Sequence, residues 1–240
     1  MERNRKNTIS FTLERAARCL RFEGVLISKE LFMSYELYTK AGSCSMAVHA
    51  IMNELGLNPT VHLMEAGEKG LKSPEYLKIN PRGNVPCLVE DGKAMIEGGA
   101  IITYLCDKEG KLMPKSGWER AQALQWLMFC NATLHPAYGR TFWIGANLPQ
   151  EVQEQALKAA RAQIQDLWNY VESELEKSGN AYLCGSEPCA ADFLMTTIAN
   201  WNPAAYNFGP KCKALFKNIA ARPSYRQALS AENVEYKAAA

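Results

Sequence analysis

Strand-like runs occupy one half of this 240-residue chain, and helical periodicity alone fills the other. Residues 35–39 read as a strand, Ala41-Gly42-Ser43 as a turn, and Cys44–Leu55 as a helix that Gly56 closes. Residues 61–64 form a second strand-like run, and Ser73-Pro74 supplies the N-cap and first position of a brief helix. A third run at 85–89 leads through Asp91-Gly92, a two-residue hairpin signal, into 94–96, and 100–105 is helical. That order predicts a mixed sheet with helices packed on it. Beyond residue 117, apolar residues recur at three and four, as in Leu124, Leu127 and Met128. Helices are expected over 118–138, 150–177, 190–201, 211–220 and 224–229. The organisation read from this is an extension at 1–33, an α/β domain at 34–109, a linker at 110–117 carrying Gly110, Pro114 and Gly117, and an all-helical domain at 118–240.

Bulk properties exclude several function classes. A formal net charge of +2 with no long basic patch argues against a nucleic-acid partner. No apolar run approaches the roughly 18–20 residues needed to cross a bilayer, so no membrane partner is expected. The extension carries Arg3, Arg5, Lys6, Arg15, Arg18 and Arg21, but Glu2, Glu14, Glu23 and Glu30 count against a targeting segment. It reads as a disordered tail or an upstream-extended start, with Met33 standing just before the first strand.

Eight cysteines and three histidines are present, and no Cys-x-x-Cys pair occurs, so a metal site is poorly supported. Most of these thiols sit in apolar contexts and read as buried and reduced, which implies a reducing compartment. Cys44 differs because it opens a helix. Unpaired backbone N–H groups and the positive end of the helix dipole both favour thiolate there. Cysteines at helix starts can have pKa values lowered to roughly 3.5–7.5, so Cys44 reads as a nucleophile, or alternatively as a thiol packed at the sheet edge.

Several segments together carry a family resemblance. Asn80-Pro81-Arg82-Gly83-Asn84-Val85-Pro86-Cys87-Leu88 resembles the N-P-x-G-x-V-P-x-L segment of glutathione transferases, and Glu97-Gly98-Gly99-Ala100-Ile101 resembles the acidic-then-small turn that follows it. Gly42-Ser43-Cys44-Ser45 is similar to the cysteine turn of the bacterial beta class, where Cys replaces Tyr or Ser. Trp126-Leu127-Met128-Phe129, Leu134-His135, Arg222-Pro223 and Ala228-Leu229-Ser230-Ala231-Glu232 also resemble that class. The likeness spans roughly 34–232.

The resemblance implies a thioredoxin-like N-terminal domain, an all-α C-terminal domain, a homodimer and a cytoplasmic setting. It implies glutathione as co-substrate, conjugated to small electrophiles in detoxification, with thiol–disulfide exchange as a second limb. Cys44, Ser45 and His135 would then surround the sulfur. Backbone groups of Val85, ahead of a cis bond to Pro86, would contact the cysteine moiety. Glu97 would meet the glutathione α-amino group or else simply cap its helix, and Gly98 would open the helix N-terminus to a carboxylate. Tyr138, Phe142, Trp143 and Trp201 would wall an electrophile pocket or pack as core or dimer contacts. Where the family commonly has Asn, Glu and Lys around the histidine, this chain has Met128, Thr133 and Pro136. That departure keeps a non-catalytic ligand- or protein-binding module as the alternative. Cys189-Ala190-Ala191-Asp192 falls where the family has a capping box, with Cys expected to cap poorly.

Overall fold

A computed structural model describes residues 35–239. The expectations for the extension therefore lie outside the described residues. Four strands, β1 (Tyr35–Thr39), β2 (Thr60–Leu63), β3 (Cys87–Glu90) and β4 (Lys93–Ile96), form one sheet in the order β2-β1-β3-β4. β1 runs parallel to β2 and antiparallel to β3, with Leu37 opposite both Val61 and Leu88. Tyr35, Leu37 and Thr39 are buried while Glu36 and Tyr38 are half-buried, the period-2 alternation of a sheet strand. Asp91 and Gly92 both have positive φ (49° and 75°), as a tight hairpin between β3 and β4 requires. β3 starts at Cys87 rather than residue 85, since Pro86 has no N–H to give a ladder and its bond to Val85 is cis.

The parallel pair β1 and β2 is joined by α1 (Cys44–Leu55), capped at the start by Ser43 and closed by Gly56 at φ 80°. α2 (Pro74–Ile79) is capped by the Ser73 hydroxyl, which accepts from the Tyr76 N–H. α3 (Gly98–Glu109) runs longer than its apolar core suggested. The helical half contains α4 (Gly117–Met128), α5 (His135–Asn147), α6 (Gln150–Ser178), α7 (Ala190–Ala199), α8 (Pro210–Ala220) and α9 (Pro223–Ala231). No described helix is long and apolar enough to cross a membrane.

Two features depart from the sequence reading. The helix expected over 118–138 continues to Asn147, but Phe129–Leu134 between α4 and α5 is a π-helical turn. Such turns change which side chains face a given side and occur often at functional sites. The second concerns Cys189, expected to cap poorly. Its sulfur accepts from the Asp192 N–H, and Asp192 Oδ2 accepts from the Cys189 N–H at 2.7 Å, so the reciprocal box is complete. Asp192 Oδ1 also accepts from the Leu183 N–H at 2.9 Å.

Every residue of α7 is buried, the polar Asp192, Thr196 and Thr197 included, so this helix lies in the core on all sides. It packs on α1, α4 and α8, and α1 in turn packs on α3, α7 and α9. A single buried cluster thus runs from Tyr35 and Leu37 in the sheet to Phe216, Tyr225 and Ala228 in the last helices. The helix that begins with Cys44 is held from both halves of the chain. Replacing Asp192 by Ala leaves two buried N–H groups without acceptors. The expected loss is about 2–4 kcal/mol, read as a lower urea midpoint; an unchanged midpoint would remove Asp192 from this account.

Candidate active site

A cleft of about 300 Å³ opens where the two halves of the chain meet. It is lined by Cys44, Asn84, Val85, Pro86, Glu97, Gly98, Asn131, His135, Pro136 and Gly139. Cys44, Val85, Pro86, Glu97, Gly98 and His135 are therefore brought together from segments up to 91 positions apart.

The loop ahead of Val85 is held from beneath. Asn80, with no exposed surface, donates to the Asn84 carbonyl at 2.7 Å and to Asn84 Oδ1 at 2.9 Å. At Gly83 (φ 57°) an added β-carbon would stand 2.5 Å from the Leu71 carbonyl oxygen, so this turn requires glycine. Glu97 has φ 73°, an uncommon conformation that costs about 1–3 kcal/mol and clusters at functional sites. Its carboxylate is 3.3 Å from Arg82 Nη1, an exposed pair, and makes no side-chain cap to α3. The start of α3 thus keeps its backbone donors free of a side-chain cap beside the cleft.

Burial, not the helix start, sets the state of Cys44. Desolvation pushes its thiol up to about 11, the N–H groups of Cys44 and Ser45 pull it down, and the Glu97 carboxylate adds to the rise. The thiolate expected from the helix position is corrected to a thiol. His135 is also shifted by burial, below the ordinary histidine value, so it stands as neutral imidazole. Its ring meets Trp201 edge-on at 4.7 Å between centroids.

Ser45 does not face the sulfur site. It has no exposed surface, and its hydroxyl lies 2.7 Å from Thr39 Oγ1 and 2.6 Å from Ser43 Oγ while accepting from the Lys40 N–H at 3.0 Å. The expected hydroxyl contact to a substrate sulfur is corrected to a buried structural role; only the Ser45 backbone N–H serves Cys44. Beneath it lies Glu232, 1% exposed. Its carboxylate accepts from the Thr39 hydroxyl at 3.0 Å and the Gly42 N–H at 3.2 Å, and lies 3.1 Å from His49 Nδ1. The Gly42 carbonyl accepts from Trp201 Nε1 at 2.8 Å. The cysteine turn is therefore pinned by two residues of the helical half.

The aromatic wall divides. Tyr138 is fully buried, its hydroxyl accepting from Trp168 Nε1 at 3.0 Å, which makes it core and removes it from the pocket. Trp201 and Phe142, with centroids 5.8 Å apart, form an aromatic ledge next to His135, outside the residues that line the cleft itself. Trp143 is exposed. Asn131 is a cleft residue that the family segments do not mark: their polar positions fall on Met128, Thr133 and Pro136, whereas Asn131 lines the cleft one turn ahead of His135. The four-residue spacing from Asn131 to His135 was the available signal. Met128 packs at the α3 start instead, where a β-carbon on Gly99 would stand 2.9 Å from its methyl carbon. Thr133 is exposed, and Pro136 lines the cleft. Among the described residues, no group of three or more His, Cys, Asp or Glu could hold a metal ion.

Residues 37–113 match the family model for the glutathione S-transferase N-terminal domain, and residues 127–223 match that for the C-terminal domain. Among curated proteins, the chain is 30% identical over 209 residues to "Glutathione S-transferase GST-4.5" of Xanthomonas campestris, covering 83% of this chain and 99% of the relative. It is 28% identical over 188 residues to "Disulfide-bond oxidoreductase YfcG" of Escherichia coli, covering 74% and 86%. Among solved structures, a sphingomonad glutathione S-transferase complexed with glutathione superimposes with a TM-score of 0.72 at 26% identity, over 83% of this chain and all of that one.

Two outcomes test the site's physics. Alkylation of Cys44 by iodoacetamide, followed by peptide mass spectrometry, should accelerate about tenfold per pH unit from about pH 7 to pH 10; a plateau below about pH 8 would mean the helix start outweighs burial. Replacing Glu232 by Ala should cost about 2–4 kcal/mol in urea unfolding, since it takes an acceptor from the buried His49 ring and Thr39 hydroxyl and from the partly buried Gly42 N–H. A loss below about 1 kcal/mol would show that the turn does not depend on this carboxylate.

Proposed function

The chain belongs to the glutathione S-transferase family, and from that membership we propose that it joins the sulfur of glutathione to small electrophiles and carries out glutathione-dependent thiol–disulfide exchange through Cys44. The observation that carries this reading is the convergence of Cys44, Val85, Glu97, Gly98 and His135 on one cleft. Glutathione has a group for each. The backbone of Val85 pairs with its cysteine moiety. The Glu97 carboxylate takes the α-amino group, and the N-terminus of α3 at Gly98 takes the α-carboxylate. Asn131 supplies a polar side chain that Met128 and Thr133 do not.

In conjugation the nucleophile is the glutathione thiolate. A protonated Cys44 suits this chemistry, because its S–H can donate a hydrogen bond to that sulfur. Neutral His135 can donate a second, and the Trp201–Phe142 ledge offers an apolar surface to the electrophile. In exchange, Cys44 sulfur attacks a glutathione mixed disulfide at the glutathione sulfur. The S–S bond breaks, and the departing thiolate takes the proton that Cys44 gives up. A second glutathione thiolate then attacks the Cys44 mixed disulfide, giving glutathione disulfide and restoring Cys44. The match to a relative named as a disulfide-bond oxidoreductase supports this limb. A cysteine at the start of α1 supports assignment to the beta class. The reading extends to a homodimer in a reducing, cytoplasmic setting, the latter supported by seven described cysteines that are all free.

Calorimetric titration of glutathione into the full chain should show one saturable site with a dissociation constant between about 1 μM and 1 mM, or roughly −8 to −4 kcal/mol. Cys44→Ala should keep that binding, abolish exchange and lower conjugation about 10–100-fold, the value of one hydrogen bond to a charged sulfur. Full exchange activity in Cys44→Ala would refute the covalent limb. A folded protein with no binding at millimolar glutathione would turn the assignment to a non-catalytic binding module.

A further inference from the structure

Far from Cys44 in sequence, two other cysteines are in contact. Cys184 and Cys189 are both free, with sulfurs 3.3 Å apart. A disulfide needs about 2.0 Å, so the two atoms have about 1.3 Å to close. The local structure holds them there. Asp192 accepts from the Leu183 N–H at 2.9 Å and the Cys189 N–H at 2.7 Å, so one carboxylate clamps the backbone at the neck of the loop. Within the loop, Tyr182 and Gly185 exchange backbone hydrogen bonds at 3.1 and 3.4 Å, and Gly185 takes φ 143°.

The two thiols differ in surroundings. Cys184 is half-buried and opens onto a hollow of about 150 Å³, lined also by Gln122, Trp126, Glu174 and Asn180. A hollow of that size admits a small oxidant such as hydrogen peroxide to the Cys184 sulfur. Cys189 is 4% exposed and held protonated, first by its contact with Cys184 and then by burial. Capping does not explain a cysteine here, since Ser, Thr or Asp would cap α7 better.

We propose that Cys184 and Cys189 form a second thiol–disulfide site, separate from the Cys44 cleft, that is oxidised by hydroperoxides. Cys184 is the attacking sulfur and Cys189 the resolving one. The Cys184 sulfur attacks a peroxide oxygen and the O–O bond breaks. With hydrogen peroxide, the hydroxide that leaves takes up the Cys184 proton as water, and Cys184 becomes a sulfenic acid. The Cys189 sulfur then attacks the Cys184 sulfur. The S–O bond breaks, the S–S bond forms, and the departing hydroxide takes the Cys189 proton as a second water. Two electrons pass from the thiols to the peroxide, and the product links the loop to the start of α7.

The test uses the full chain with Cys19→Ser and Cys44→Ala, which removes the cysteine of the cleft and the one outside the described residues. After exposure to excess hydrogen peroxide, the protein is denatured, alkylated and mapped by mass spectrometry. The expected result is loss of two hydrogen masses and a peptide cross-linked between Cys184 and Cys189, reversed by dithiothreitol. Adding either C184S or C189S should abolish the cross-link; C189S retains a hydroxyl cap for α7 and so guards against misfolding. Recovery of both as alkylated free thiols, conversion of Cys184 to a sulfinic acid without a cross-link, or linkage of either residue to Cys130 would overturn the proposal.

Discussion

A buried carboxylate near the C-terminal end of the chain holds the cysteine turn in place. Glu232 meets Thr39 at the end of β1, Gly42 in the turn and His49 in α1. Three elements that converge at the cleft thus share one acceptor. Trp201 adds a hydrogen bond to the Gly42 carbonyl, so the same turn is gripped on both its N–H and its C=O. Low dielectric makes such a network costly to break and rigid when complete. The position of Cys44 follows from it, because the sulfur projects from the first residue of a helix whose entry is fixed at Gly42 and Ser43.

At Cys44 two physical effects compete. The helix start and two backbone N–H groups favour thiolate, while burial favours thiol, and burial is the larger. The outcome suits the proposed conjugation, in which glutathione supplies the reacting thiolate. A protonated sulfur gives a hydrogen bond to a substrate thiolate, whereas two thiolates in one cleft would repel each other. Exchange chemistry remains open because the proton can leave with the departing thiol.

The helical half contributes more than packing. α7 is buried on every side and lies against the helix that carries Cys44. The π-helical turn between α4 and α5 sets which side chains reach the cleft, placing Asn131 beside Gly98 and His135 beside Trp201. The start of α7 is secured by a sulfur-and-carboxylate box that also brings Cys184 against Cys189.

The sequence by itself determined the local elements wherever the signal was local. The Cys44–Leu55 helix, its Gly56 stop, the Ser73-Pro74 start and the Asp91-Gly92 hairpin all follow from capping and turn chemistry acting over a few residues. Family segments added the cis bond before Pro86 and the grouping of Cys44, Glu97 and His135. Tertiary structure alone decided the rest. Tyr138 is turned inward because Trp168, 30 positions along the chain, donates to its hydroxyl, and Ser45 because the Thr39 hydroxyl bonded to it is itself held by Glu232 of the helical half. Asn131 lines the cleft from the π turn one turn ahead of His135; its four-residue spacing from that histidine is local, but packing decides that this face of the helix meets the cleft. The protonation of Cys44 was hidden for the same reason: the helix start is written in neighbouring residues, but desolvation depends on everything that folds around the sulfur.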